Sequence, residues 1–120
     1  MPITFSIVTP VYNGEKFLEQ TIKSVLDQPG DFYVDYIIID DGSTDGSLDI
    51  IKQYARLIIT KQIPIKCLAI NFRYKSGPNR GQSRAYNEGF KMAQGDLLAW
   101  INADDYYLPN TFAMVADCYE

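Results

Sequence analysis

Two pairs of adjacent aspartates, Asp40 with Asp41 and Asp104 with Asp105, stand at or just after apolar runs, YIIID at 36–40 and LLAWI at 97–101. At an effective dielectric of about 20, two like charges about 4 Å apart repel by roughly 4 kcal/mol. An acid pair in such a place therefore calls for water, a hydrogen-bond donor or a cation. The chain has no histidine, so nucleophile systems of the Ser/His/Asp or Cys/His kind cannot be assembled from it. Neither GxGxxG after the first strand nor a GxxxxGK phosphate loop is present, which removes the dinucleotide fingerprint and the P-loop. What remains is carboxylate chemistry. Hard oxygens suit Mg2+ or Mn2+, which take one or two protein carboxylates and leave other positions to water and substrate phosphates. A cation so placed would neutralise charge on a leaving diphosphate without a histidine.

The elements that must position these acids can be read from hydrophobic periodicity. Residues 5–9, FSIVT, form a short strand stopped by Pro10, and Phe17, Leu18, Ile22, Val25 and Leu26 recur at helical spacing between Glu15 and Gln28. YIIID has the uninterrupted β-branched character of a strand covered on both faces; DDGSTDGS follows it, and then a helix from Ser47 to about Ile58. A third strand is expected at 65–70, then the polar loop NFRYKSGPNRGQ, a helix from about Ser83 to Gln94 closed by Gly95, and the buried strand LLAWI. A last helix is expected to start near Pro109. This alternation predicts an α/β fold, a mostly parallel sheet with helices on both faces. Ligands of such sheets sit outside the carboxyl ends of the strands. TPVYNG, DDGSTDGS, the 71–82 loop and NADDYY should therefore meet at one edge, with five aspartates and two arginines among them.

With 120 residues, 47% hydrophobic and 22% charged, the chain fits one domain. Its net charge of -4 argues against nucleic acid bound through phosphate neutralisation. Cys67 and Cys118, far apart and without a CxxC spacing, are expected as plain buried thiols, in keeping with a reducing compartment. No apolar run approaches the ~20 residues of a spanning helix. The expected location is cytoplasmic, with membrane association left open for a longer parent.

Taken singly, each candidate also has a structural explanation. Asp40 and Asp41 read equally well as turn formers before Gly42, Asp104 and Asp105 as a turn, and Asp45 as the cap of the second helix. Arg80 and Arg84 can be surface charges, Tyr106 and Tyr107 packing residues, and Thr9 and Tyr12 shapers of the first turn. A phospho-accepting receiver domain would want its acid pair after the first strand, where TPVYN stands, and a lysine after a fifth strand, which is missing.

In combination, SIVTPVYNGEKFLEQTIKSVLDQ, IIIDDGSTDGS and GPNRGQSRAYNEGFKMAQGDLLAWINADDYYLP resemble the N-terminal, nucleotide-sugar-binding part of family 2 glycosyltransferases, over essentially the whole chain and in order. The resemblance implies a Rossmann-like GT-A domain, here cut short, spanning 1–120. By position, Thr9, Pro10 and Tyr12 match residues bordering the base, and Asp41 the residue accepting from the base edge. Asp104 matches the acid near ribose or metal, and Asp105 the ligand of Mn2+ or Mg2+ beneath the diphosphate. Arg80 and Arg84 fall where the family places a basic residue toward nucleotide or phosphate. The first acid of the usual DxDD pattern is Asn102 here, which points to a lower metal affinity. Nothing matches the family's catalytic carboxylate or acceptor region, expected beyond residue 120.

The implied reaction is transfer of a sugar, with inversion, from a nucleotide diphosphate (a UDP-sugar first) to a hydroxyl of a glycan, lipid-linked or small-molecule acceptor. The alternative is that this segment is only a non-catalytic nucleotide-sugar-binding module. An uncovered sheet edge would invite self-association.

Overall fold

The apolar runs at 5–9 and 36–40 lie side by side at the centre of a sheet, and both are covered above and below, which is why neither alternates. The computed structural model describes residues 2–119. Along the chain come β1 (Thr4–Val11), α1 (Leu18–Leu26), β2 (Tyr33–Asp41), α2 (Ser47–Ile59), β3 (Ala69–Gly77), α3 (Gln82–Met92), β4 (Leu97–Trp100) and α4 (Thr111–Tyr119). The strands pair in the order β3-β2-β1-β4, all parallel.

Side-chain parity sorts the helices between the two faces. Phe5, Ile7 and Val11 of β1 and Val34, Tyr36 and Ile38 of β2 face one core with Leu18, Ile22, Ile51, Tyr54 and Phe112, so α1, α2 and α4 lie together. Phe5 stacks on Phe112 with ring centroids 4.8 Å apart and meets Phe32 edge-on at 5.2 Å, which fastens α4 to the sheet. Val8, Ile37 and Ile39 point the other way, onto Ala85, Tyr86 and Phe90 of α3. At Gly89 a Cβ would strike the Val8 side chain, so glycine lets α3 lie directly on β1.

Several expectations are corrected. Pro10 does not stop β1, which runs on to Val11. Even-numbered β1 residues turn their backbone groups toward β4, as in the bond from the Ile101 amide to the Val8 carbonyl. The β1–β4 pairing ends at Trp100, so the missing Pro10 N–H falls where no partner strand remains. The third strand is not 65–70 but Ala69–Gly77. Polar residues disguised it: as an edge strand it sends Ile70 and Phe72 to one core and Asn71 and Arg73 to the opposite face. There Arg73 pairs with buried Asp35 at 2.8 Å, and the Asp35 carboxylate also accepts from Ser6 Oγ and the Gln94 amide, tying β3 to the α3–β4 turn. LLAWI is an edge rather than a buried strand, leaving Leu98 and Trp100 exposed. α1 begins at Leu18 because 15–17 form a turn closed by the Phe17 and Leu18 amides on the Gly14 carbonyl. Pro109 lies in the turn before α4, which begins at Thr111. Neither cysteine is fully buried: Cys67 is half-buried just before β3, and Cys118 is exposed on the side of α4 away from Phe112. No described helix is long and apolar enough to cross a membrane.

Candidate functional site

Because every strand pair is parallel, the four expected loops do leave the same edge of the sheet. The first two are stitched into one unit. Asn13, at φ 49°, accepts on Oδ1 from the Thr44 and Asp45 amides (2.7 and 3.3 Å), and its own amide donates to Ser43 Oγ (2.9 Å). The Gly14 amide donates to Ser47 Oγ (2.9 Å), and Glu15 Oε2 accepts from the Gly46 amide (3.0 Å). Asp45 is not the residue at the cap position, which is Gly46; instead its Oδ1 accepts from the first helical amide, Ser47 N, at 2.9 Å, and its Oδ2 from the Glu15 amide. Slight burial pushes the Asp45 carboxyl up, but bonds from the Ser47 hydroxyl and the Ser47 and Glu15 amides outweigh it and hold it below its ordinary value.

Asp41 organises the third loop. Its Oδ1 accepts from the Arg80 amide (2.7 Å) and its Oδ2 from the Gly81 amide (3.1 Å). Gly42 makes this approach possible. Its φ is +76°, and a Cβ there would stand 2.6 Å from the Asn79 amide nitrogen. Asp40 is buried and accepts from Ser76 Oγ (2.9 Å) and the Ser43 amide (3.3 Å).

The acidic fourth loop is held from beneath by polar side chains on α1 and just past its end. Thr21 Oγ1 donates to the Asp105 carbonyl, the Tyr107 amide donates to Ser24 Oγ (3.0 Å), and buried Gln28 donates to the Leu108 carbonyl (2.9 Å) and accepts from the Phe112 amide (3.0 Å). From above, Asn102 Oδ1 accepts from the Tyr86 hydroxyl and from Gln82 Nε2 (3.0 Å). Both lone pairs of that oxygen are thus occupied by α3 donors, which makes Asn102 a brace between α3 and the acid loop. Burial raises the Tyr86 hydroxyl pKa, the bond with Gln82 lowers it, and the charges of Asp105 and Asp104 raise it again, so it stays a donor.

Between these loops lies an open cavity of about 640 Å³. Pro10, Tyr12, Asp41 and Asp104 stand on its wall together. Thr9 does not line it: the residue is wholly buried and its hydroxyl meets Tyr36 Oη at 3.0 Å. Asp105 is exposed next to the wall rather than part of it. Arg80 and Arg84 line a separate cleft on the other side of the 79–81 segment. Sequence reading passed over Lys16, among the described residues the one cation on the cavity wall, with its Nζ 5.4 Å from the Phe17 ring centroid. It also passed over Asn79 and Gln82. Asn79 directly after GP and Gln82 at the start of α3 follow a loop that leads to the acid-bearing edge, which was the available signal. Thr21 and Ser24 on α1 and Gln28 just past its end, spaced three and four apart beside the apolar positions, were another.

A sequence profile described as glycosyl transferase family 2 matches residues 6–119. The poly(ribitol-phosphate) beta-glucosyltransferase of Bacillus spizizenii is 35% identical over 103 residues, covering 84% of this chain and 15% of that protein. S. aureus TarS 1–349 in complex with UDP-GlcNAc superposes with a TM-score of 0.75 at 24% identity, over 98% of this chain and 31% of that one. The mannosyltransferase PcManGT of Pyrobaculum calidifontis, in complex with GDP-Man and Mn2+, gives 0.72 at 19% identity, over 92% and 30%. These structural likenesses fix the GT-A fold. The chain spans about a third of the length of the first curated relatives it matches.

Proposed function

The chain belongs to glycosyl transferase family 2, and on that footing we propose that it is the donor-binding part of an inverting, metal-dependent enzyme. The enzyme transfers a sugar from a nucleotide diphosphate, a UDP-sugar first, to a hydroxyl of a glycan, lipid-linked or small-molecule acceptor in cell-wall or polysaccharide synthesis, on the cytoplasmic side. One observation carries the reading: Pro10, Tyr12, Asp41 and Asp104, drawn from three loops far apart in sequence, stand on one cavity wall. A poly(ribitol-phosphate) glucosyltransferase among the relatives and UDP-GlcNAc on TarS support a nucleotide-sugar donor and a cell-wall setting.

The residues divide the work. Tyr12 is 55% exposed, free to cover one face of a base. Asp41 accepts from the base edge; each of its oxygens holds one loop amide and keeps a further lone pair. Lys16, on the cavity wall, would supply positive charge to the diphosphate. Asp104 and Asp105 would hold Mn2+ or Mg2+, and among the described residues no third acid, histidine or cysteine joins them. That donor set suits an ion sharing its coordination with substrate phosphates, as Mn2+ alongside GDP-Man in PcManGT supports. Such an ion, when bound, stabilises charge on the departing diphosphate. The base that deprotonates the acceptor hydroxyl is assigned outside residues 1–120.

A thermal-shift panel of UDP-, GDP- and dTDP-sugars with Mn2+, run beside a radiolabelled transfer assay, tests this. We expect the largest shift with a UDP-sugar and little transfer by these 120 residues. No shift with any nucleotide sugar would refute donor binding, and robust transfer would show the base to be misplaced.

A further inference from the structure

The chain is acidic, with 11 basic residues against 15 acids. Four of the basic residues, Lys75, Arg80, Arg84 and Lys91, nevertheless line one open cleft of about 500 Å³ along α3, where among the described residues Glu88 is the only acid. Lys75 pairs with Glu88 at 3.1 Å. Among the described residues no carboxylate lies within 4.0 Å of the charged groups of Arg80, Arg84 or Lys91. The carboxylates of Asp40 and Asp41 border only the narrower groove beside the cleft, and there they already accept from Ser43, Ser76, Arg80 and Gly81. Three cations thus share one concavity with no protein anion to answer them. Like charges so gathered repel one another, and a bound anion relieves that cost.

The cleft lies behind the donor wall, not in it. Arg80 marks the partition: its side chain lines the cleft while its amide holds Asp41 Oδ1 at 2.7 Å, and Asn79 and Gly81 on either side of it line the donor cavity. Charge and shape narrow the ligand. The planar fork of arginine meets phosphate with paired hydrogen bonds, and Asn87 adds a neutral donor on the same wall. Arg84 and Lys91 stand seven residues apart on α3, about 10 Å along its axis. Linked phosphoryl groups can engage both ends of the cleft, where a single phosphate engages one. Among the described residues no aromatic side chain lines the cleft to stack a base. Met92 is the only apolar residue among them on the wall, too little for a membrane-inserting face. We infer that this cleft is a second anion site, distinct from the donor cavity, that takes a compact oligophosphate of the diphosphate or triphosphate class.

Isothermal titration of inorganic diphosphate and triphosphate into the 120-residue chain, in EDTA and at low salt, tests this. Saturable binding is expected, weakening steeply as salt rises, with inorganic phosphate bound about tenfold or more weakly. The double variant Lys75→Gln/Lys91→Glu should weaken diphosphate binding by about tenfold or more. Lys16→Gln in the donor cavity and Lys52→Glu on α2 should leave it unchanged. All four lysines are exposed, so the variants should keep the fold, which their melting curves check. Sedimentation with phosphatidic acid vesicles separates a free oligophosphate from a lipid headgroup, and the chain should stay in the supernatant. Absent diphosphate binding at low salt, equal weakening by Lys52→Glu, loss of binding in Lys16→Gln, or retention on the vesicles would overturn the proposal.

Discussion

At the scale of the residue, Asn102 stands where the resemblance to family 2 glycosyltransferases leads one to expect an acid, and the geometry gives the amide a task of its own. The Asn102 carbonyl oxygen is bonded by Tyr86 and Gln82, so the residue braces α3 against the loop that carries Asp104 and Asp105. Asn102→Asp would keep one oxygen on Tyr86 and free the other, bringing a third carboxylate to the acid pair. It should tighten Mn2+-dependent nucleotide binding severalfold, whereas Tyr86→Phe should lower stability by about 1 kcal/mol and loosen the same binding. Titrations of both variants check this, and an Asn102→Asp protein that binds more weakly in Mn2+ would contradict the brace. The acids themselves were legible in the sequence because each pair follows an apolar run. The brace was not, because an amide at 102 and a tyrosine at 86 are linked only once α3 lies beside β4. Thr9, on β1, and the two arginines were read as parts of one site because they adjoin the other candidates in sequence, which does not tell which side of the chain a side chain takes.

Among the elements, α1 does more than fill the core. Its apolar positions were plain from their spacing, and they do pack under the sheet. Thr21 and Ser24 on it, with Gln28 just past its end, follow the backbone from Asp105 to Phe112. Replacing Gln28 by Leu would leave the Phe112 amide unpaired in a buried place, while the Leu108 carbonyl keeps its Thr111 donors, at a cost of about 1–3 kcal/mol. The acid loop should shift with it, so that the Mn2+-dependent part of UDP binding falls more than the metal-independent part. Chemical denaturation with paired titrations measures both, and an unchanged metal response at lowered stability would limit these side chains to a structural role. Edge strands explain where element reading failed. β3 carries Asn71, Arg73 and Lys75 because only one of its faces meets the large core, and period-two alternation in AINFRYK was weaker than its polarity. β4 was misjudged in the opposite sense: LLAWI is apolar throughout, yet Leu98 and Trp100 are half or more exposed.

For the whole molecule, alternation of strands and helices was enough to predict a parallel sheet with its loops at one edge, because only the carboxyl ends of parallel strands can collect these four segments. Among the described residues the same sheet leaves β4 unpaired on its outer side, with Leu98 and Trp100 beside it, and we propose self-association there. Light scattering across a concentration series should show a dimer that Leu98→Lys/Trp100→Lys abolishes; a monodisperse monomer at every concentration would contradict it. The central claim is that the gathered loops hold a nucleotide diphosphate together with a divalent cation. Its most direct test is isothermal titration of UDP into the chain with and without Mn2+, repeated for Asp104→Asn. The account predicts saturable binding in Mn2+ that weakens strongly when the metal is removed or Asp104 is neutralised. Binding indifferent to both, or no binding at all, would contradict it.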